Sequence, residues 1–342
     1  MRTIDWTDGA ISLIDQTQLP HQLIVRRVTN LDDLIHDIQR LAVRGAPALG
    51  VAGALGVALI AHTIADATER TAAVKHLRDA RPTAVNLSWG VDRVSAFLSA
   101  GPERVLDEAL RVRDEDIAAC IAMGNHGADL IGQLVDRQRV RVATICNTGA
   151  LCAVERGTAL GVIQTLFERG KLEEVLPVET RPLLQGSRLT AWELQRMGAP
   201  YRLMVDSAAP FLLAQGLADV VVIGADRIAA NGDTANKIGS FSLALAALHA
   251  NIPFLVVAPE STVDLGTENG TRIEIEDRGP DEVLGFAGAR TAPPEADALN
   301  PAFDVTPHDL ITAVITDQRV VRVNQGVGMR GAFQRPLSEQ MR

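Results

Sequence analysis

The chain has 342 residues, 47% hydrophobic and 22% charged, with a formal net charge of -9. That size and composition support one large domain or two ordinary ones and exclude bulk disorder. The acidic balance argues against a nucleic-acid surface, while a few arginines focused in a cleft still suffice for a small anion.

The opening segment, MRTIDWTDGAISLID, lacks a basic start followed by an apolar core, so no signal peptide is expected. In VTNLDDLIHDIQRLAVRG, the apolar residues Leu31, Leu34, Ile35, Ile38 and Leu41 have helical spacing. Asn30 is suited to cap that helix, Gly45 follows its end, and Pro47 suits the first turn of the next one. Residues 45–61 carry no charge and reach the short limit of a membrane span, roughly 17 residues. Their proline and glycines point instead to a buried helix, with Gly50, Gly53 and Gly56 admitting a close neighbour. A further long helix is expected from about Glu103, and the mixed charges at Arg111, Arg113, Asp114, Glu115 and Asp116 read as its solvated face.

The pattern changes after Asp136. The runs VRVATIC, YRLMV, DVVVIGAD and PFLVVAP are nearly continuous apolar strands, separated by segments long enough for crossover helices. The expectation is a doubly wound α/β fold: a smaller, mainly helical N-terminal domain over 1–135 and a parallel-sheet domain over 136–342.

Open α/β sheets bind ligands beyond the carboxyl ends of their strands. Here the expected strands end in Cys146-Asn147-Thr148-Gly149, Asp206-Ser207 and Gly224-Ala225-Asp226-Arg227. Cys146 reads either as a small packed residue or as a reactive thiol. The Asn-Thr-Gly turn and the alanine-rich segment after it suit a helix start, which would lower a thiol pKa. Cys120 and Cys152 lack that context and are assigned to packing. Three cysteines do not make a disulfide framework and suit a reducing, cytoplasmic setting. Asp226 reads either as a turn or cap residue or as a functional carboxyl. The following NGDTANKIGS segment adds a tight turn at Asn231-Gly232-Asp233 and a polar pair, Asn236 and Lys237, suited to hydroxyls or a phosphate.

Arg44-Gly45-Ala46-Pro47 combines an arginine with free N–H groups at a helix start, either an anion site or an ordinary junction. Arg81, in Arg81-Pro82-Thr83-Ala84-Val85-Asn86, is a second arginine in a turn. Gln185 precedes an expected helix over 188–197 and could bond a sugar hydroxyl. The histidines show no paired spacing, and HExxH, Walker A, GxSxG and GxGxxG patterns are absent, so no metal or nucleotide cofactor is expected.

Six segments in order, RGAPALG, RPTAVNLSWG, CNTGAL, ETRPLLQGSRLTAWEL, GADRIAANGDTANKIGS and NPAFDVTPHDLITAVIT, resemble the methylthioribose-1-phosphate isomerases of methionine salvage. That family is itself similar to ribose-1,5-bisphosphate isomerases and to regulatory subunits of the translation-initiation exchange factor. The resemblance implies a Rossmann-like C-terminal domain and a homodimer that acts on a sugar phosphate without cofactor, nucleic acid or membrane. It assigns catalysis to Cys146 and Asp226, and substrate binding to Arg44, Gly45, Ala46, Arg81, Gln185, Asn236 and Lys237. The implied reaction is an aldose–ketose isomerisation with Asp226 as acid and Cys146 as base for the C2 proton; a C2-to-C1 hydride shift is the competing route. Three places depart from the family pattern: Ile145 stands where a histidine is expected, and the YRLMVDSAAPFL and VGMRGAF segments differ.

Overall fold

The structure, a computed structural model, describes residues 2–82, 84–286 and 288–331. It divides into two compact units, Met1–Asn125 with Asn147–Gln164, and His126–Cys146 with Thr165–Arg342. The chain therefore changes unit near residue 125, ten residues before the expected boundary, and residues 147–164 return to the first unit.

The first unit begins with an antiparallel sheet that the helical reading did not foresee: β1 (Ile4–Thr7), β2 (Ala10–Ile14) and β3 (Val25–Val28). Asp8 and Gly9 both take positive φ, 49° and 74°, giving the two-residue turn that matches the twist of a hairpin. Ile4, Ile11 and Leu13 from this sheet enter the same core as the helices.

Helix α1 (Leu31–Gln39) is capped by Asn30, whose side chain accepts from the Asp33 N–H at 2.9 Å. Helix α2 (Ala46–Thr63) is apolar on every side, so it has no solvent face and fills the centre of the unit. It is long and apolar enough to cross a membrane, but 78% of it is buried here. Around it lie α3 (Ala67–Arg78) and α4 (Val85–Ser95). A Cβ on Gly53 would lie 2.7 Å from the Leu87 carbonyl oxygen, and one on Gly90 2.1 Å from that of Gly50. The small residues thus bring the α2 and α4 backbones together, as their spacing suggested.

Helix α5 (Pro102–Leu134) runs through the division between the units. Its charge cluster is only partly a solvated face. Asp114 and Glu115 are exposed, whereas Arg113 pairs with Asp5 at 2.5 Å and Asp116 turns inward to accept from the Val154 N–H at 3.1 Å.

The second unit is built on a six-stranded sheet. Its strands are β4 (Val140–Thr144), β5 (Leu172–Pro177), β6 (Val220–Ile223), β9 (Phe254–Val257), β14 (Ala313–Ile315) and β15 (Val320–Val321). The order is β15-β14-β9-β6-β4-β5, parallel throughout except for β15. Val220–Ile223 and Phe254–Val257 are buried at every position, so the continuous apolar runs are strands covered on both faces. YRLMV departs from expectation. Only Tyr201 and Met204 form isolated parallel bridges, to Val175 and Val178 beside β5.

The connecting helices are α6 (Ala159–Glu168), α7 (Ala191–Met197), α8 (Ala209–Ala214) and α9 (Ser240–Ala250). A second sheet, β10-β7-β8-β13, joins β7 (Arg227–Ala229), β8 (Thr234–Lys237), β10 (Val263–Asp264) and β13 (Phe303–Thr306). A short helix α10 (Asp281–Leu284) leads into the paired β11 (Gly285–Phe286) and β12 (Ala289–Arg290). The VGMRGAF segment lies partly outside the described residues.

Candidate active site

In the first unit, Arg44, Gly45 and Ala46 form the entry to α2. Gly45 occupies the N-cap position at φ 96°, and among the described residues no side chain caps the first turn, an arrangement suited to an anion. Glycine is obligatory on two counts: its φ, and the 2.5 Å that would separate a Cβ from Cys152 Cβ. Arg44 donates from Nε to Gln16 Oε1 at 3.2 Å and from its terminal nitrogen to the Asn147 carbonyl at 2.9 Å and to the Asn147 side chain. Gln16 is in turn fixed by donating to the Leu151 carbonyl at 2.7 Å. The guanidinium is thereby oriented by the residue that follows Cys146 in the chain. Arg81 stands in the turn before α4.

In the second unit, Cys146 follows the end of β4. Its context differs from the expected helix start: the chain next makes a single 3-10 turn, Ala150–Cys152, and α6 begins only at Ala159. Hydrogen bonds hold the cysteine instead. Its backbone takes φ 62°, a conformation that costs a non-glycine residue about 1–2 kcal/mol. The Cys146 N–H donates to Thr180 Oγ1 at 3.0 Å, and the Thr190 hydroxyl donates to the Cys146 carbonyl at 2.6 Å. Both threonines are fully buried. Thr180 is anchored by Asp206, whose carboxylate accepts from the N–H groups of Thr180 at 2.8 Å and Arg181 at 2.7 Å. The cysteine backbone is thus held by two threonines of the segment that links β5 to α7.

Asp226 lies three residues beyond β6, where its N–H donates to the Ala235 carbonyl at 2.9 Å and opens the β7–β8 hairpin. It caps no helix. Strands β4 and β6 are direct neighbours, with Val142 opposite Val220 and Ala143 opposite Val221. Parallel neighbours lie about 4.8 Å apart, so Cys146 and Asp226 both follow the carboxyl ends of adjacent strands.

Three further expected residues belong to this unit. Gln185 is buried, and among the described residues its Oε1 has no hydrogen-bond partner, an arrangement that costs about 1–3 kcal/mol unless a ligand donates to it. It precedes a π-turn, Gly186–Thr190, and α7 begins only at Ala191, three residues later than expected. A Cβ on Gly186 would lie 1.7 Å from the Val178 carbonyl oxygen, so this turn also demands glycine. Asn236, buried on β8, donates from Nδ2 to Ser240 Oγ at 2.8 Å. Lys237 donates to the Ala302 carbonyl at 2.8 Å and lies 4.4 Å from the Phe303 ring centroid. The Asn231-Gly232-Asp233 turn is present, with Asp233 accepting from the His308 backbone at 2.9 Å and its ring at 2.8 Å.

The expected residues therefore form two sets: Arg44, Gly45, Ala46 and Arg81 in the first unit, and Cys146, Gln185, Asp226, Asn236 and Lys237 in the second. Sequence reasoning missed Thr180, Thr190 and Asn147, whose roles depend on contacts distant in the chain. Asp206 was noticed only as the end of a strand. Ile145, in place of the expected histidine, is fully buried in the sheet core. Among the described residues, no group of three or more His, Cys, Asp or Glu side chains converges as a metal ligand set.

Comparison with known proteins agrees with this architecture. The model of the initiation factor 2 subunit family matches residues 42–322. A probable bifunctional methylthioribose-1-phosphate isomerase/methylthioribulose-1-phosphate dehydratase from Nocardia farcinica (strain IFM 10152) is 50% identical over 331 residues. That alignment covers 94% of this chain, which spans 60% of the Nocardia protein's length. A methylthioribose-1-phosphate isomerase from Anaeromyxobacter sp. (strain Fw109-5) is 48% identical, covering 94% of this chain and 95% of the relative. The crystal structure of 5-methylthioribose 1-phosphate isomerase from Pyrococcus horikoshii OT3 superimposes with a TM-score of 0.87 at 39% identity, covering 94% and 92% of the two chains. The chain belongs to the initiation factor 2 subunit family and stands in it beside the methylthioribose-1-phosphate isomerases.

Proposed function

We propose that the protein is an aldose–ketose isomerase of methionine salvage that converts 5-methylthioribose 1-phosphate to 5-methylthioribulose 1-phosphate. The observation that carries this reading is the emergence of Cys146 and Asp226 from neighbouring strands of one sheet, in a chain whose relatives bear that isomerase name. The phosphate on C1 leaves no free anomeric hydroxyl, so the ring opens only if an acid protonates the ring oxygen. Protonated Asp226 gives that proton, and the C1–O4 bond breaks. The Cys146 thiolate removes the C2 proton, forming a C1=C2 enol; the thiol proton exchanges with water, and the thiol then protonates C1. The C2 hydroxyl proton passes to the Asp226 carboxylate as the ketone forms, which restores both groups. In the second unit Gln185 and Asn236 orient hydroxyls and Lys237 recognises the phosphate; in the first, Arg44, Arg81 and the N–H groups of Gly45 and Ala46 are proposed as anion-recognising groups.

The second unit supports a Rossmann-like reading. With the Tyr201 and Met204 bridges counted outside β5, the parallel order in chain sequence is 3-2-1-4-5-6. A homodimer is proposed through α8 and α9, where Phe211, Phe241, Leu245 and Leu248 are exposed. Light scattering should give twice the chain mass; a monomer at micromolar concentration would refute that part. Three free cysteines suit a reducing cytoplasm.

The test of the reaction is turnover of authentic methylthioribose 1-phosphate carrying deuterium at C2. Ketose formation with washout of the label into water supports the enol route, and full transfer to C1 assigns a hydride shift instead. Absence of turnover, with conversion of ribose 1,5-bisphosphate, would move the substrate assignment. Absence of both activities would favour a non-catalytic, regulatory role in translation initiation, in a chain that matches the initiation factor 2 subunit family.

A further inference from the structure

Asp304, on β13, has no part in the chemistry above, yet it is bonded into the segment that carries two of the substrate-binding residues. Strand β13 pairs with β8 so that Asp304 stands opposite Asn236 and Phe303 opposite Lys237. From there the Asp304 carboxylate reaches the turn between β8 and α9. Oδ2 accepts from the Gly239 N–H at 2.7 Å, and Oδ1 from the Phe241 N–H at 3.1 Å. Gly239 is the N-cap residue of α9 and has no side chain to supply a cap, so Asp304 provides it from another strand.

The turn is tied to the site on both sides. Ser240 accepts from Asn236 Nδ2 and donates to the Lys237 carbonyl at 2.7 Å, which orients the Asn236 amide. A Cβ on Gly239, at φ 103°, would lie 3.0 Å from Ile145 Cδ1, so the turn also abuts the residue before Cys146. Burial pushes the Asp304 carboxyl up to about 6, opposed by the N–H groups of Gly239 and Phe241 and by the Lys237 ammonium. Above that value the carboxylate form predominates. Its charged surroundings are Lys237 on β8 and, facing Lys237, Glu282 on α10, itself paired with Arg278.

We propose that Asp304 is a positioning residue: its carboxylate, holding the N–H groups of Gly239 and Phe241, sets the β8–α9 turn so that Asn236 and Lys237 meet the sugar phosphate in register. The inference rests on the proposed function but acts through the turn, so it has a readout of its own. Because Asn236 and Lys237 hold the substrate in ground state and transition state alike, loss of the cap falls on KM more than on kcat.

The experiment compares wild type with Asp304→Ala and Asp304→Ser, the serine retaining one capping acceptor. Hydrogen exchange of peptides spanning 237–243 should quicken about tenfold or more in the alanine variant and less in the serine variant, with other segments unchanged. KM for methylthioribose 1-phosphate should rise about tenfold or more in Asp304→Ala with kcat within about threefold of wild type, and Asp304→Ser should fall between. Unaltered exchange at the turn, or a loss of kcat at constant KM, overturns the proposal. If wild type itself fails to turn over the substrate, the functional reading falls, and the exchange measurement alone decides whether Asp304 sets the turn.

Discussion

Replacing Thr180 by valine keeps the outline of the side chain and removes one hydroxyl. That hydroxyl accepts from the Cys146 N–H at 3.0 Å and donates to the Val178 carbonyl at 3.1 Å, at a fully buried position. Valine leaves the Cys146 donor facing a methyl group, at about 1–3 kcal/mol, and removes a second bond of net value about 1 kcal/mol. The expected loss of stability is about 2–4 kcal/mol, or a fall in Tm of about 5–10 °C. Cys146 would also lose the contact that keeps its backbone at φ 62°. A displacement of about 1 Å at a reacting group costs up to about a hundredfold in rate, so kcat should fall about 10- to 100-fold. Thr180→Ser, which keeps the hydroxyl, should recover most of both losses. Urea titration and steady-state kinetics measure the two effects. A Thr180→Val protein within about 0.5 kcal/mol of wild type and with unchanged kcat would refute the claim that this bond fixes the cysteine.

Two further substitutions test other parts of the structure. Gly45→Ala adds a Cβ only 2.5 Å from Cys152 Cβ at a φ of 96°, so a loss of about 2–5 kcal/mol in urea titration is expected, together with weaker phosphate binding. Asp116 supplies a pH dependence: burial pushes its carboxyl up from 3.8 to about 7, against the Val154 N–H. The folded protein then keeps a proton that the unfolded chain releases above about pH 4, so stability falls as pH rises from about 4 to about 7 and is level beyond. Asp116→Asn, which can still accept from Val154, should remove that slope and be more stable at pH 8 by up to about 4 kcal/mol. Equal urea midpoints for the two proteins at pH 5 and at pH 8 would contradict this account.

The sequence was most informative where one strong pattern acts locally. The apolar runs form strands at Val140–Thr144, Val220–Ile223 and Phe254–Val257 because continuous β-branched and apolar residues suit a sheet covered on both faces. The apolar stretch at 45–61 is a central helix for the same kind of reason. YRLMV has similar composition, yet it forms only two bridges, and Asp206 after it serves as an acceptor for the Thr180 loop. The N-terminal hairpin was missed although Asp8-Gly9 is a strong turn signal, because the strands beside it are only four and five residues long. Positions whose function is set by long-range register are not legible at all. Asp304 reaches Gly239 across 65 residues, and Thr180 reaches Cys146 across 34. The return of residues 147–164 to the first unit likewise has no local signature, since it depends on contacts such as Thr3 with the Ala153 carbonyl.

The central claim is that Cys146 and Asp226 do the chemistry on a sugar phosphate. The most direct measurement is kcat for methylthioribose 1-phosphate with wild type, Cys146→Ser and Asp226→Asn, each shown by circular dichroism to be folded. The account predicts turnover by wild type and a loss of about a hundredfold or more in each variant. Near-normal kcat in either folded variant would contradict it.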